Sequence, residues 1–320
     1  MKSCTGRARY PPQAVRLGCL TSQHRVSTLR SYTYKQAEIG VAAYLRPKRL
    51  EDALATMAEP GWVVLAGGTD HFPARVTHTP DEAILDVTAL SELKGIDRMA
   101  DGGLRLGAGV TWTEVIEAAL PPACDGLKAA AREVGGVQIQ NRGTIGGNLC
   151  NASPAADGVP PLLSLDAEVE LASASGTRRL PLGRFILGNR HTARRSNELL
   201  VAVHLPAPAL EATGRFLKLG ARRYLVISIV MVAGTLSRTA DGTIVAARLA
   251  VGACSAAAVR LPALEAALIG RPVTEAAAAL QPSHLDLLRP IDDGRADAPY
   301  RRHAAATLVR RCLNELARAA

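Results

Sequence analysis

The densest set of side chains able to hold a ligand runs from Asn141 to Asp157. It carries Gly143, Gly146 and Gly147, the hydroxyls of Thr144 and Ser153, the amides of Asn141, Asn148 and Asn151, and the carboxylate of Asp157. Glycine admits close approach of a backbone to a ligand and tolerates positive φ. Successive main-chain N–H groups in such a segment can form a concave anion site. The amides donate and accept, and a carboxylate suits the hydroxyls of a sugar. The chemistry that needs all of these together is binding of a pyrophosphate joined to a sugar. A glycine- and asparagine-rich surface turn has the same composition, so the stretch alone leaves both readings open.

A second stretch bears on the choice. Leu65-Ala66-Gly67-Gly68-Thr69-Asp70 follows the apolar run Trp62–Leu65, which reads as a buried strand. A strand entering Gly-Gly-Thr can form a second phosphate cradle, or simply a tight turn. The two stretches are far apart in sequence, and one fold must bring them together.

Taken as a pair, Ala66-Gly67-Gly68-Thr69-Asp70 and Asn141 to Asn148, followed by Ala152-Ser153-Pro154-Ala155-Ala156-Asp157, resemble the FAD-binding medium subunit of molybdenum hydroxylases. That is the family of xanthine dehydrogenase and carbon monoxide dehydrogenase. The resemblance runs from about Ala42 to the C-terminus. It implies an α+β chain: a two-subdomain FAD-binding fold of the vanillyl-alcohol oxidase (PCMH) type over residues 39–208. A small C-terminal domain of antiparallel sheet plus helices would follow over 209–320.

The resemblance also implies site residues. The first loop, Leu65, Ala66, Gly67, Gly68, Thr69, Asp70, His71 and Phe72, would wrap the FAD pyrophosphate. Thr144, Ile145, Gly146, Gly147 and Asn148 would form the second contact, with Asn151 and Ser153 offering polar groups beside it. Asp157 would take a sugar or phosphate-side hydroxyl, Leu200 would contact the flavin region, and Lys218 would stand near the isoalloxazine edge. A solvated strand lysine is the other reading of Lys218. Relatives often carry an aspartate shortly after an arginine pair; here the run is Arg222-Arg223-Tyr224-Leu225-Val226. The acceptor is therefore left open among NAD, a quinone and oxygen.

In the family, a large subunit hydroxylates substrate at a molybdopterin cofactor, and a small subunit with [2Fe–2S] clusters passes electrons on. The implied role of this chain is to carry FAD between those clusters and the acceptor, in a heterotrimer or a dimer of heterotrimers. A self-sufficient flavin oxidase of the vanillyl-alcohol oxidase type is the competing enzyme reading, but the roughly 110 residues after Pro208 are few for a substrate domain. A non-enzymatic binding module is the third.

Whole-chain properties limit the alternatives. With 320 residues and 48% hydrophobic content the chain can bury a sizeable core, and with 3% aromatics that core must be mostly aliphatic. No apolar run approaches the roughly 20 residues of a membrane span. A cytoplasmic protein is expected. The net charge of +9 suggests nucleic acid, but residues 1–38 hold seven Lys/Arg against one acid and so supply +6, which leaves +3 for the rest. No nucleic-acid partner is expected. Residues 1–38 also lack hydrophobic periodicity and an apolar signal core, and read as a disordered extension or an over-extended gene start. The six cysteines form no C-x-x-C pair, and Cys150 alone cannot hold an iron–sulfur cluster. No residues suggest a metal site or catalytic triad.

The elements that must position the two loops are legible in outline. Helical spacing of Leu50, Ala53, Leu54 and Met57 leads to strand Trp62–Leu65, and Ala83–Val87 reads as its parallel neighbour. Gly95–Met99 and Leu104–Leu106 flank a turn at Asp101-Gly102-Gly103. Thr111-x-x-Glu114 is a capping box, and a helix over Gly126–Val134 stops at Gly135-Gly136. Val169–Leu171 pairs with Arg178–Leu180, and Leu199–Leu205 is a strand. Pro206 to Pro208 marks the boundary. Beyond it come strands Arg215–Leu219, Val226–Leu236 and Ile244–Val251 and then three helices, the last with Leu308, Cys312, Leu313 and Leu316 on one face.

Overall fold

The computed structural model of the chain describes residues 43–75 and 82–319; the N-terminal 38 residues, with Cys4 and Cys19, lie outside them. Three sheets matter for the site. Tyr44–Leu45 (β1), Trp62–Leu65 (β2) and Ala83–Asp86 (β3) form a parallel sheet in the order β1-β3-β2, with helix α1 (Leu50–Met57) between the first two strands. This is the parallel unit expected from the alternation of elements. β2 ends at Leu65, and the first glycine loop begins at its C-terminal edge.

Ile96–Arg98 (β4), Leu104–Gly107 (β5), Glu168–Ser173 (β6), Gly176–Pro181 (β7) and, later in sequence, Leu199–Leu205 make an antiparallel sheet. Two short strands, Ile186–Gly188 (β8) and His191–Thr192 (β9), precede Leu199–Leu205, which is therefore β10. The sheet order is β4-β5-β10-β6-β7. β10 is the central strand, and all seven of its residues are buried. Its nearly continuous apolar sequence, Leu-Leu-Val-Ala-Val-His-Leu, is what a strand covered on both faces requires. Helices α2 (Trp112–Glu117) and α3 (Asp125–Glu133) follow β5. The Thr111–Glu114 capping box forms as expected, Thr111 accepting from the Glu114 N–H.

The next stretch departs from the expected loop. A four-residue turn of helix, α4 (Val137–Gln140), is followed by α5 (Ile145–Asn151), which contains the Gly146-Gly147 pair. Two glycines disfavour helix, so α5 depends on its surroundings. The Thr144 hydroxyl caps its start by accepting from Gly147 N–H at 3.0 Å, and Ile145 and Leu149 are fully buried. Ala152, left-handed at φ 46, ends it. Helix α6 (Val159–Ser164) and the four-residue α7 (Leu182–Phe185) complete this part.

The C-terminal sheet is Thr213–Leu219 (β11), Val230–Arg238 (β12), Ile244–Gly252 (β13) and Val259–Arg260 (β14), paired antiparallel in sequence order. β12 starts at Val230 rather than Val226 because Ser228, fully buried, is drawn away to bond Asp157 at 2.6 Å. Instead of three helices, α8 (Pro262–Leu268), two 3-10 segments and α9 (Ala298–Arg318) follow. Pro272 and Pro282 border the 3-10 segments, and a proline supplies no N–H to continue a helix. α9 buries Leu308, Cys312, Leu313 and Leu316 against the sheet. One apolar core fills the space around β5, β6 and β10, and another lies between the C-terminal sheet and α9.

Candidate functional site

The two glycine stretches meet. Gly67 lies so close to the turn before α5 that a Cβ on it would stand 1.8 Å from the Arg142 carbonyl oxygen. Only glycine permits that approach. The turn is fixed from the other side, where Trp112 N–H donates to the Gly143 carbonyl at 3.1 Å. Together the stretches line a cavity of about 580 Å³ floored by Leu199 and Leu200 at the start of β10. A second hollow of about 360 Å³ shares Ala66, Gly67 and Thr144 with it, and adds Lys94 and Arg142. Together the two hollows have the size usual for cofactor sites.

Their main chains contribute differently. Among the described residues, the N–H groups of Gly67, Gly68, Thr69, Asp70 and His71 have no protein acceptor. Gly68 is left-handed at φ +72, which helps turn successive N–H groups to one side. In α5 the corresponding donors are all taken. Ile145 donates to the Val110 carbonyl, Gly146 to Ala108, Gly147 to the Thr144 hydroxyl and Asn148 to the Thr144 carbonyl, at 2.8–3.0 Å. The first loop supplies anion-binding donors; α5 supplies a close wall. A Cβ on Gly147 would meet nothing but Thr144 Oγ1, at 3.0 Å, so this glycine keeps the wall flat toward the cavity it lines.

Among the described residues, two buried side-chain atoms lack partners: Asn148 Oδ1 and His71 Nε2. A buried polar atom without a partner is costly, and both residues line the cavity. Burial lowers the pKa of His71, and the Arg75 charge adds to the effect. The charged lining residues are Arg75, Arg190 and Arg194 against Asp70 and Glu198. Glu198 is bound by Arg178 through two contacts of 2.6 and 2.8 Å, which lower its pKa. The wall suits an anion.

Of the residues expected from sequence, Leu65, Ala66, Gly67, Gly68, Thr69, Asp70, His71, Thr144, Gly146, Gly147, Asn148, Asn151 and Leu200 line this one cavity. Phe72 does not; it stands exposed, edge-on to His71 at 5.1 Å. Ile145 is in the core, and the Ser153 hydroxyl accepts from the Ala155 N–H at 3.3 Å. Asp157 and Lys218 bind each other. Lys218 Nζ donates to Asp157 Oδ2 at 2.7 Å and to the Glu133 carbonyl at 3.3 Å, one residue from Val134 on the cavity wall. Burial pushes the Asp157 carboxyl up, and Lys218 and Ser228 oppose that shift. The sequence reading missed Lys94, Arg142, Arg75, Arg190 and Arg194. The arginine-rich run after Gly188-Asn189, directly before a buried strand, was the available signal for the last two.

The chain matches the family described as the FAD binding domain in molybdopterin dehydrogenase over residues 35–208, and the CO dehydrogenase flavoprotein C-terminal domain over 215–316. It is 38% identical over 185 residues to the xanthine dehydrogenase FAD-binding subunit of Escherichia coli O157:H7, covering 54% of this chain and 60% of that subunit. To the nicotinate dehydrogenase FAD-subunit of Eubacterium barkeri it is 33% identical over 195 residues, covering 58% of this chain and 66% of that one. These matches thus span about three fifths to two thirds of the relatives' length. A solved carbon monoxide dehydrogenase from Hydrogenophaga pseudoflava aligns with a TM-score of 0.78 at 28% identity, over 86% of this chain and 96% of that one. By sequence match and fold, the chain belongs to the FAD-binding family of the molybdopterin dehydrogenases.

Proposed function

We propose that this chain is the FAD-carrying, electron-transferring subunit of an oxidoreductase of the molybdenum hydroxylase class. The observation that carries the reading is the single cavity built by the two glycine stretches, with free main-chain donors on one wall and a flat glycine face on the other. Gly67 to His71 would bind the diphosphate through main-chain N–H groups. Gly147 would let it approach, while Gly146 lets α5 pack against Ala108; Asn148 and His71 would satisfy their unpartnered atoms on the ligand, and Leu200 would floor the ring end. Asn151 orients the first loop through Arg190, which it shares with Asp70. Lys218, neutralised by Asp157, fixes the wall at Glu133 and Val134.

A bound flavin supplies the capacity to take electrons singly and give them up in pairs. The partners that complete the reaction are a small subunit bearing [2Fe–2S] clusters and a large subunit bearing the molybdenum cofactor, with NAD, a quinone or oxygen as acceptor. Among the described residues, no cluster of three or more His, Cys, Asp or Glu could hold a metal ion, and no helix is long and apolar enough to cross a membrane. The test uses the purified full chain. Acid extraction should release FAD, and the bound flavin should bleach when the reduced iron–sulfur subunit is added. An aldehyde or N-heterocycle should leave it oxidised until both partner subunits are present. A chain that never retains flavin refutes the site, and bleaching by such a substrate in the isolated chain refutes the relay.

A further inference from the structure

Arg190 occupies the turn between β8 and β9 with φ +54, a conformation that disfavours any side chain with a Cβ. The turn's geometry does not select arginine, because glycine or asparagine would adopt it with less strain. The contacts of the side chain do select it. Nη1 donates to Asp70 Oδ2 in the first loop at 3.1 Å and to Asn151 Oδ1 at the end of α5 at 2.6 Å. The main-chain N–H of Arg190 donates to the carbonyl of Ala152, the residue that ends α5, at 3.0 Å. One residue therefore ties its own turn to two segments that lie 120 and 39 positions away from it in sequence. Among the described residues, Nε and Nη2 have no protein acceptor, and the residue lines the cavity. Strain held in place by such contacts is a recognised mark of a ligand clamp.

Resting on the flavin reading above, we propose that Arg190 is a retention latch for the dinucleotide. Nη1 holds the mouth of the first loop against α5. The free guanidinium edge, Nε and Nη2, is left as a donor pair for a diphosphate oxygen, the geometry in which arginine binds phosphate better than lysine does. A latch of this kind acts on how long the cofactor stays, rather than on whether the chain folds.

The test is flavin release from the full holoprotein, followed by the rise in flavin fluorescence after dilution, for wild type, Arg190→Gly, Arg190→Lys and Asp70→Asn. The loss of two charge-assisted contacts at a half-exposed site should speed release by about tenfold in Arg190→Gly. Arg190→Lys, which keeps the charge but not the fork, should be intermediate. Asp70→Asn should also accelerate release, and combining it with Arg190→Gly should add little, since both cut the same link. The ligand-free melting temperature of Arg190→Gly should equal or exceed that of wild type, because glycine relieves the left-handed strain. Wild-type release rates in both Arg190 variants would overturn the latch and leave the flavin reading intact. A lower ligand-free melting temperature with unchanged release would assign Arg190 a purely structural role and overturn it too. A wild-type chain that holds no flavin would overturn the underlying reading, and the latch with it.

Discussion

The same small change, glycine to alanine, should have opposite consequences at two positions of the site. At Gly67 the new methyl would lie 1.8 Å from the Arg142 carbonyl oxygen, 2.6 Å from its carbon and 3.1 Å from Gly143 Cα. These are main-chain atoms, so the clash can be relieved only by moving one glycine stretch away from the other, by more than an ångström. Overpacking of this severity costs about 3 kcal/mol. For a folded unit of this size that lowers the melting temperature by about 5 °C. At Gly147 the methyl meets only Thr144 Oγ1, at 3.0 Å, a hydroxyl that needs to give by a few tenths of an ångström. Weakening that cap costs up to about 1 kcal/mol, and replacing a helical glycine by alanine returns about 0.5–1 kcal/mol. The net effect on the ligand-free fold is near zero.

On the cofactor the order reverses. Gly147 lines the cavity, so its methyl occupies space that the ligand needs, and about 1–3 kcal/mol of overpacking there weakens FAD by roughly 5- to 150-fold. The assay is a pair of measurements on each variant: melting of flavin-free protein, and flavin affinity by fluorescence quenching on titration of apoprotein. Gly147→Ala should melt like wild type and bind FAD poorly, whereas Gly67→Ala should melt early. Wild-type affinity in Gly147→Ala would show that this face does not meet the cofactor. Wild-type melting in Gly67→Ala would show that the two glycine stretches are not in contact.

Three further outcomes follow from named contacts. Removing the Thr144 cap with Thr144→Ala should cost about 1 kcal/mol and loosen flavin binding, since α5 has little intrinsic helix preference; calorimetry and flavin titration check both, and unchanged values in each would contradict the cap's importance. Lys218→Met leaves the Asp157 carboxylate buried without its cation and should destabilise by about 3–5 kcal/mol. Adding Asp157→Asn should recover part of that loss in denaturant unfolding, and no recovery would rule out the pair as the cause. Burial lowers the pKa of His204 from its ordinary 6.5 against the opposing pull of Glu170. The unfolded chain therefore binds more protons near that pH, so the stabilisation is complete above about pH 6.5 and fades as the pH falls below it. The slope of melting temperature against pH should flatten in His204→Gln, and an unaltered slope would assign it to other groups.

What the sequence disclosed depended on whether the cause was local. The strand Trp62–Leu65, the Thr111–Glu114 capping box and the central strand Leu199–Leu205 each follow from neighbouring residues, and each stands where the pattern puts it. Helix α5 was hidden because Gly146-Gly147 speak against helix locally, while the packing of Ile145 and Leu149 and the Thr144 cap outweigh them. The Lys218–Asp157 pair and the Arg190 bridge join residues 61 and 120 positions apart. No periodicity announces such contacts. The resemblance supplied the identity of the loops, but not which residues face the cavity: Ile145 and Phe72 fall within the motifs and lie outside its lining.

The division between the two glycine stretches also explains why both are needed. A diphosphate requires donors that are free before it arrives, because each donor taken from a protein acceptor would have to be released at a cost comparable to what the ligand returns. Only the first loop meets that condition, with five successive N–H groups uncommitted among the described residues. Such a loop has little to hold its own shape. Its order must come from outside, through the contact of Gly67 with Arg142 and the bridge from Asp70 through Arg190 to Asn151. Helix α5 can give that support because its own donors are already satisfied by Val110, Ala108 and Thr144. One stretch binds while the other braces it. A change in α5 that leaves every direct ligand contact in place can therefore still weaken binding, by releasing the loop.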